Sequence, residues 1–286
     1  MKNVVVCIFI ISFVFGYSQS KDTNIKIIKN PLYNLEIKAF HCSIELWIND
    51  ILVFNHYEEK GSVWVDWPIN QFILQKGNQN FEVRIIPYKN QTTLSEKVEV
   101  EFGIHAIEAI TESERIEVIE RSVINIPNKE KLPLYIHKGT FLATTPYVLE
   151  GWKNSQDLSK VDKKLLYQEL IKWNSKLLNI YSTSNLEQYN SVYKQRELEF
   201  DIANYVLSEP NNMDVFHSKF KDLIALPDDL YKLKLFANGK LASIVLPFEL
   251  PGFKYEPKKK TKESLGISLI IYFHRKQKGM PLEIIR

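Results

Sequence analysis

Cysteine is nearly missing from this 286-residue chain, which has two. Cys7 lies inside an N-terminal apolar run, and Cys42 follows directly on His41. Removal of that run as a leader leaves one thiol, so no internal disulfide can form and the core must hold the chain together, which its length permits. Neighbours on a strand point to opposite faces, so His41 is badly placed to serve Cys42 as a base, and a structural thiol is expected. Glycine is scarce too, at ten residues, and there is no G-x-G-x-x-G or P-loop spacing from which to build a phosphate cradle. The six histidines fall in no H-x-x-x-H pair and near no Cys-x-x-Cys, so no metal site is indicated. A G-x-S-x-G nucleophile elbow is absent as well. Charge of one sign is also lacking. The formal net charge is +3, which indicates no nucleic-acid partner. Nothing in the chain calls for a cofactor.

What is present begins at the N-terminus. Lys2 precedes an apolar run over 4–15, and Gly16-Tyr17-Ser18 or Ser18-Gln19-Ser20 supplies a small-residue cleavage site. The sequence thus predicts a signal peptide over 1–20, cut after Ser18 or Ser20. The run is shorter than the roughly 20 apolar residues a resident span needs. Cys7 sits within the run and not just after it, so there is no lipobox. The expected location is periplasmic or secreted, with no stable membrane span once the leader is cut.

Residues 21–127 read as β structure. Tyr33, Leu35, Ile37 and Ala39 alternate onto one face, and Asn49-Asp50 separates two apolar runs as a two-residue hairpin turn would. Further strand-like stretches fall at 63–68, 81–87, 97–103 and 115–123. Pro127, Pro133, Gly139, Pro146 and Gly151 then punctuate 128–160, where Leu132–His137 offers a short strand and the rest reads as a connecting segment. Helical spacing takes over in the 161–286 region. Leu166, Leu170, Leu177 and Ile180 recur at three and four residues, a second helix follows from Ser184 or Asn185 through Tyr189, Tyr193 and Phe200, and 213–223 offers a short third. The chain closes on a hairpin with an expected type I′ turn at Asn238-Gly239, a basic loop, one long apolar run over 266–274 and a short run over 282–286.

The order of these elements makes the chain α+β. Two resemblances go further. The Asn49-Asp50 turn, with the Ile73-to-Val83 stretch after it, resembles small β-sandwich modules of secreted Bacteroidetes proteins over roughly 30–125. That implies a sandwich-like N-terminal domain and no activity. Helices followed by an antiparallel sheet over 160–286, with the Ala237-Asn238-Gly239-Lys240-Leu241 hairpin, resemble cystatin/NTF2-like domains, in which a curved sheet wraps a long helix. The resemblances imply two domains.

An NTF2-like cone would be lined by inward polar groups, and Arg196, Asp201 and His274 are the ligand-pocket candidates there. Glu197 and Asp201, four apart, share one helix face, where a solvated surface is the ordinary reading. Lys258, Lys259, Lys260 and Lys262 form the one pronounced charge run and are the partner-binding candidates, against the plainer reading of a solvated loop. Trp64 and Trp67 could stack on a glycan, although on a strand they point to opposite faces. The sequence favours an exported, non-enzymatic binding protein of the bacterial periplasm or envelope, of immunity or accessory type, with a protein or envelope component as partner. An enzyme with a pocket in the C-terminal cone, a hydrolase or isomerase, and a carbohydrate-binding module are the alternatives.

Overall fold

A computed structural model describes residues 28–57, 60–111, 115–206, 213–259 and 265–286. The expected leader, Lys260 and Lys262 lie outside the described residues. The N-terminal half contains β1 (Pro31–Phe40), β2 (Ser43–Ile48), β3 (Ile51–His56), β4 (Ser62–Pro68), β5 (Gln75–Ile86), β6 (Glu99–Glu108), β7 (Arg115–Val123) and β8 (Tyr135–Val148). Then come α1 (Lys163–Ser182), α2 (Leu186–Asn204) and α3 (Met213–Phe220). The last part holds β9 (Leu223–Ala225), β10 (Lys232–Phe236), β11 (Leu241–Val245), β12 (Gly252–Pro257), β13 (Ile267–Ile270), β14 (Phe273–His274) and β15 (Glu283–Ile284). Strands and helices are segregated along the chain, which makes the fold α+β.

The first eight strands make two antiparallel sheets, ordered β4-β1-β6-β7 and β3-β2-β5-β8. Alternation decides their inner faces. Leu35, Ile37 and Ala39 from one sheet are fully buried with Ile44, Leu46 and Val83 from the other. Phe81 and Phe102 stack across the gap with ring centroids 4.8 Å apart. The β2–β3 turn is of the expected kind, with Asn49 at φ 50° and Asp50 at φ 63°, the left-handed pair a type I′ turn requires.

The segment 128–160 is not merely a connector. It contains β8, which pairs with β5 along Tyr135↔Ile85 to Ala143↔Gly77. Gly139 and Pro146 hid its continuation beyond His137. A side chain at Gly139 would put its Cβ 2.8 Å from the Phe81 ring, so glycine is what lets the strand pass. Pro146 is tolerated because β8 is an edge strand, where a missing N–H removes no ladder bond.

In the helices the capping residues are those the sequence offers. Asp162 accepts from the Leu165 N–H at 2.9 Å and Asn185 from the Gln188 N–H at 2.9 Å. The apolar face of α1 (Leu166, Leu170, Leu177, Ile180) is fully buried against two further sheets, β13-β12-β9 and β10-β11-β14-β15. Three expectations need correcting here. The stretch read as a basic loop contains β12, whose Phe253 and Tyr255 are buried between Lys254 and Glu256; the charges masked the alternation. The run 266–274 is two strands, because β13 pairs with β12 while β14 pairs with β11 and β15 in the other sheet. The β10–β11 turn is shifted by one residue. Its left-handed pair is Ala237 (φ 50°) and Asn238 (φ 53°), closed by the Gly239 N–H donating to the Phe236 carbonyl at 3.0 Å.

That shift has a cause in the other half of the chain. The Ala237 N–H donates to the Asp50 carbonyl at 3.0 Å, and the Asn238 N–H donates to Asp50 Oδ2 at 2.7 Å. Two hairpin turns, one from each half, are thereby joined. The N-terminal core runs on through this seam. Phe236, Leu241, Tyr272 and Ile285 are buried in the same apolar cluster as Leu46 and Trp47, and the Tyr272 hydroxyl donates to the Leu52 carbonyl.

Candidate functional site

The space between the helices and β12 is where a cone-shaped pocket would lie, and aromatic rings fill it. Tyr181 stacks on Phe220 at 4.6 Å, Tyr189 lies 4.6 Å from Tyr193, and Phe220 meets Tyr255 edge-on at 5.7 Å. The Tyr181 hydroxyl donates to that of Tyr193 at 2.9 Å. Arg196 is engaged at the surface of α2, bonded to Glu197 at 2.9 Å with its guanidinium 5.5 Å from the Tyr193 ring centre. Asp201 is half-buried on the same helix. Neither lines the cavity that His274 lines, so the structure does not gather the three candidates into one site.

His274 is 1% exposed. Its Nδ1 lies 2.7 Å from the Ser155 hydroxyl, beside a cavity of about 340 Å³ rimmed by Glu150, Asn154, Lys276 and Gln277. Burial pulls the imidazole below its ordinary pKa, so it is neutral at pH 7. A hydroxyl against a neutral imidazole has the composition of a nucleophile and its base. What it lacks is an orienting group: Nε2 is buried and has no hydrogen-bond partner among the described residues, and Ser155 is itself only 4% exposed.

The most heavily buried ion pair lies close by. Arg286 meets Glu199 at 2.8 Å, with both side chains 3% exposed. The Glu199 carboxylate also accepts from the Gly151 N–H at 2.8 Å and from Gln195 Nε2 at 2.7 Å. Arg286 donates to the Gln71 carbonyl and stands over the Trp152 ring at 4.9 Å. Helical spacing directs Phe200 inward, yet Glu199 and Ala203 take the buried face of α2 and Phe200 is 37% exposed. Nothing near Glu199 in the sequence marks it, because its cation comes from the far end of the chain.

A cavity of about 640 Å³ opens on the outer face of the β3-β2-β5-β8 sheet at the seam. Asn80, Glu82 and Arg84 come from β5, Lys138 and Thr140 from β8, and Asn49, Asp50 and Asn238 from the two joined turns. Trp47 and Trp152 are the two indoles in its lining. Both indoles are held firmly: Arg84 and Lys234 stand 4.2 Å and 4.7 Å from the Trp47 ring, and Arg286 covers Trp152. Asn49 is pinned by donating to the Phe72 carbonyl at 2.9 Å and to Gln79 Oε1 at 2.8 Å. None of these residues was a site candidate from the sequence. The available signal was the run of outward polar residues alternating on β5, together with the two turns.

The remaining candidates stand apart from this cleft. Lys258 donates to the Lys221 carbonyl at 3.0 Å, and Lys259 is exposed beside it. Trp64 is 69% exposed with Lys38 5.6 Å from its ring, whereas Trp67 packs inward on Phe54 at 5.0 Å. Cys42 is buried, and burial pushes its thiol up to about 12, which makes it inert. Among the described residues no group of three or more His, Cys, Asp or Glu could hold a metal ion, and no helix is long and apolar enough to cross a membrane. No protein-family model, no curated protein and no solved structure matches the chain.

Proposed function

We propose that the chain is an exported, non-enzymatic binding protein of the bacterial periplasm or cell envelope, an accessory or immunity-type factor, and that it engages its partner at the seam cleft. The observation that carries this is how the cleft is built. Its walls come from both halves of the chain and are joined through Asp50 to Ala237 and Asn238. Its lining includes two cation-clamped indoles. A concave site that is already held in shape binds without a large ordering penalty. On this reading residues 28–148 are a sandwich module, and the C-terminal part is an NTF2- or cystatin-like unit. Aromatic rings close its interior, which moves binding to the seam. Of the lysine run, the described Lys258 and Lys259 then serve as solvated surface residues.

The test uses the full-length chain in its native host, with a photo-crosslinking residue at Thr140 in the cleft or at Lys172 on α1. The expected result is a periplasmic protein without its leader that forms a defined adduct from position 140 and none from 172. Retention in the cytoplasm with the leader intact, or adducts from 172 alone, would refute the proposal. So would labelling of Ser155 by a fluorophosphonate, which reports an activated serine and favours the enzyme reading of the Ser155–His274 pair.

A further inference from the structure

We infer that the seam cleft takes a neutral, hydroxyl-rich ligand, a short oligosaccharide segment; the inference rests on the cleft being the binding site. Charge balance is the first reason. Asp50 and Glu82 stand against Arg84 and Lys138 in the lining, two formal charges of each sign, and Arg84 is bonded to Glu82 directly. A phosphate or an acidic peptide would gain from the cations only what it loses to the carboxylates. A ligand without net charge loses nothing by this arrangement.

Hydrogen-bonding capacity is the second. The side chains of Asn80, Asn238 and Thr140 line the cleft and have no bonding partner among the described residues, while Asn80 and Asn238 are fixed through their backbone N–H groups, to Asn49 Oδ1 at 3.0 Å and Asp50 Oδ2 at 2.7 Å. Amides and hydroxyls both donate and accept. That matches sugar hydroxyls, which do the same, better than it matches a ligand made only of acceptors. Apolar surface comes third. Trp47 and Trp152 are in the lining although only 4% and 5% exposed, so they give the C–H groups of a sugar ring a narrow apolar contact. Cations stand over both rings and burial leaves little of either free, so the indoles do not serve as a stacking platform. The volume, about 640 Å³, falls within the roughly 300–1,000 Å³ of small-molecule sites, which suits a short segment and not a long polymer track.

Trp64, the exposed indole, lies on the other sheet of the sandwich and takes no part. This separates the inference from the stacking platform that the sequence suggested.

The experiment is a glycan array followed by calorimetric titration of the purified full-length chain. Neutral oligosaccharides are expected to bind with an affinity that changes little between low and moderate salt, since no net charge is neutralised. The N80A/T140A pair should weaken binding by about tenfold, the loss of one to two neutral hydrogen bonds, at an unchanged melting temperature, and Trp64→Ala should bind as the parent does. Absence of binding to every neutral glycan overturns the inference. So does binding confined to acidic glycans with a steep salt dependence, or binding that N80A/T140A leaves intact. If these fail while a crosslink to a protein from position 140 persists, the cleft remains the binding site and only the ligand class is wrong.

Discussion

Glu199 and Glu197 sit two positions apart on α2 and have opposite fates. Glu197 pairs with Arg196 where both side chains are about a third exposed or less, at 28% and 30%; Glu199 meets Arg286 where both are 3% exposed. Removing one partner of a buried pair leaves an uncompensated charge in low dielectric, which costs about 3–5 kcal/mol; a solvated pair contributes roughly 0–1 kcal/mol. Glu199→Ala is therefore expected to lower the unfolding free energy by about 3–5 kcal/mol in a urea titration, and Glu197→Ala by less than about 1 kcal/mol. Equal losses would show that the Glu199–Arg286 contact is solvated. The charge pattern along α2 draws attention to Glu197 and Asp201, because spacing reveals which residues share a face but not which face is covered.

At the scale of the element, the two hairpin turns show how far local chemistry reaches. Asn49-Asp50 is legible because its two strands and its φ requirements are all local. The Asn238-Gly239 signal identifies the second hairpin correctly and its turn register wrongly. The register is set by Asp50, which accepts from Ala237 and Asn238 across the seam. Asp50 sits at φ 63°, a left-handed conformation that Asp and Asn adopt at less cost than Ala. Asp50→Ala is expected to cost about 1–3 kcal/mol, from a lost acceptor and a strained backbone. Asp50→Asn, which keeps an oxygen in place, should recover most of it. Thermal melts of the two variants side by side test this, and an alanine variant as stable as the asparagine variant would mean that the turn-to-turn contact does not hold the seam.

For the whole molecule, one apolar cluster joins residues of β1–β8 to Phe236, Tyr272 and Ile285, so the two halves should unfold together. Far-UV and near-UV circular dichroism should trace coincident transitions in denaturant, and two separated transitions would show independent domains. The midpoint should also move with pH. Burial holds His105, His137 and His274 below the ordinary value of 6.5. Below that value the unfolded chain takes up protons that the folded chain refuses, so their contribution is complete above about pH 6.5 and declines as pH falls through it. For Glu36, burial pushes the carboxyl up, but the bonds from Arg115 and Arg121 outweigh it and leave its pKa lowered. Its contribution is present above its ordinary 4.5 and is lost on further acidification. Burial raises Asp66, which opposes this trend only in the acid range. The net expectation is a midpoint that falls steadily from pH 7 to pH 5.

By itself the sequence determined the α+β order, the presence of strands β1 to β7 with the buried face of β1, the caps of α1 and α2, and the existence of the two hairpins. Each follows from residues within a turn or two of one another, through periodicity, capping oxygens and left-handed turn positions. Only the tertiary structure decided that β8 runs on through Gly139 to Val148 and that β12 is a strand, that 266–274 divides between two sheets, that rings close the space beneath the helices, and that a cleft opens at the seam. Those outcomes depend on partners far away in the chain. A Gly139 makes sense only under the Phe81 ring, a buried Glu199 only against Arg286, and a shifted turn only against Asp50. Burial and charge compensation are settled by what packs opposite a residue, and its sequence neighbours do not carry that information.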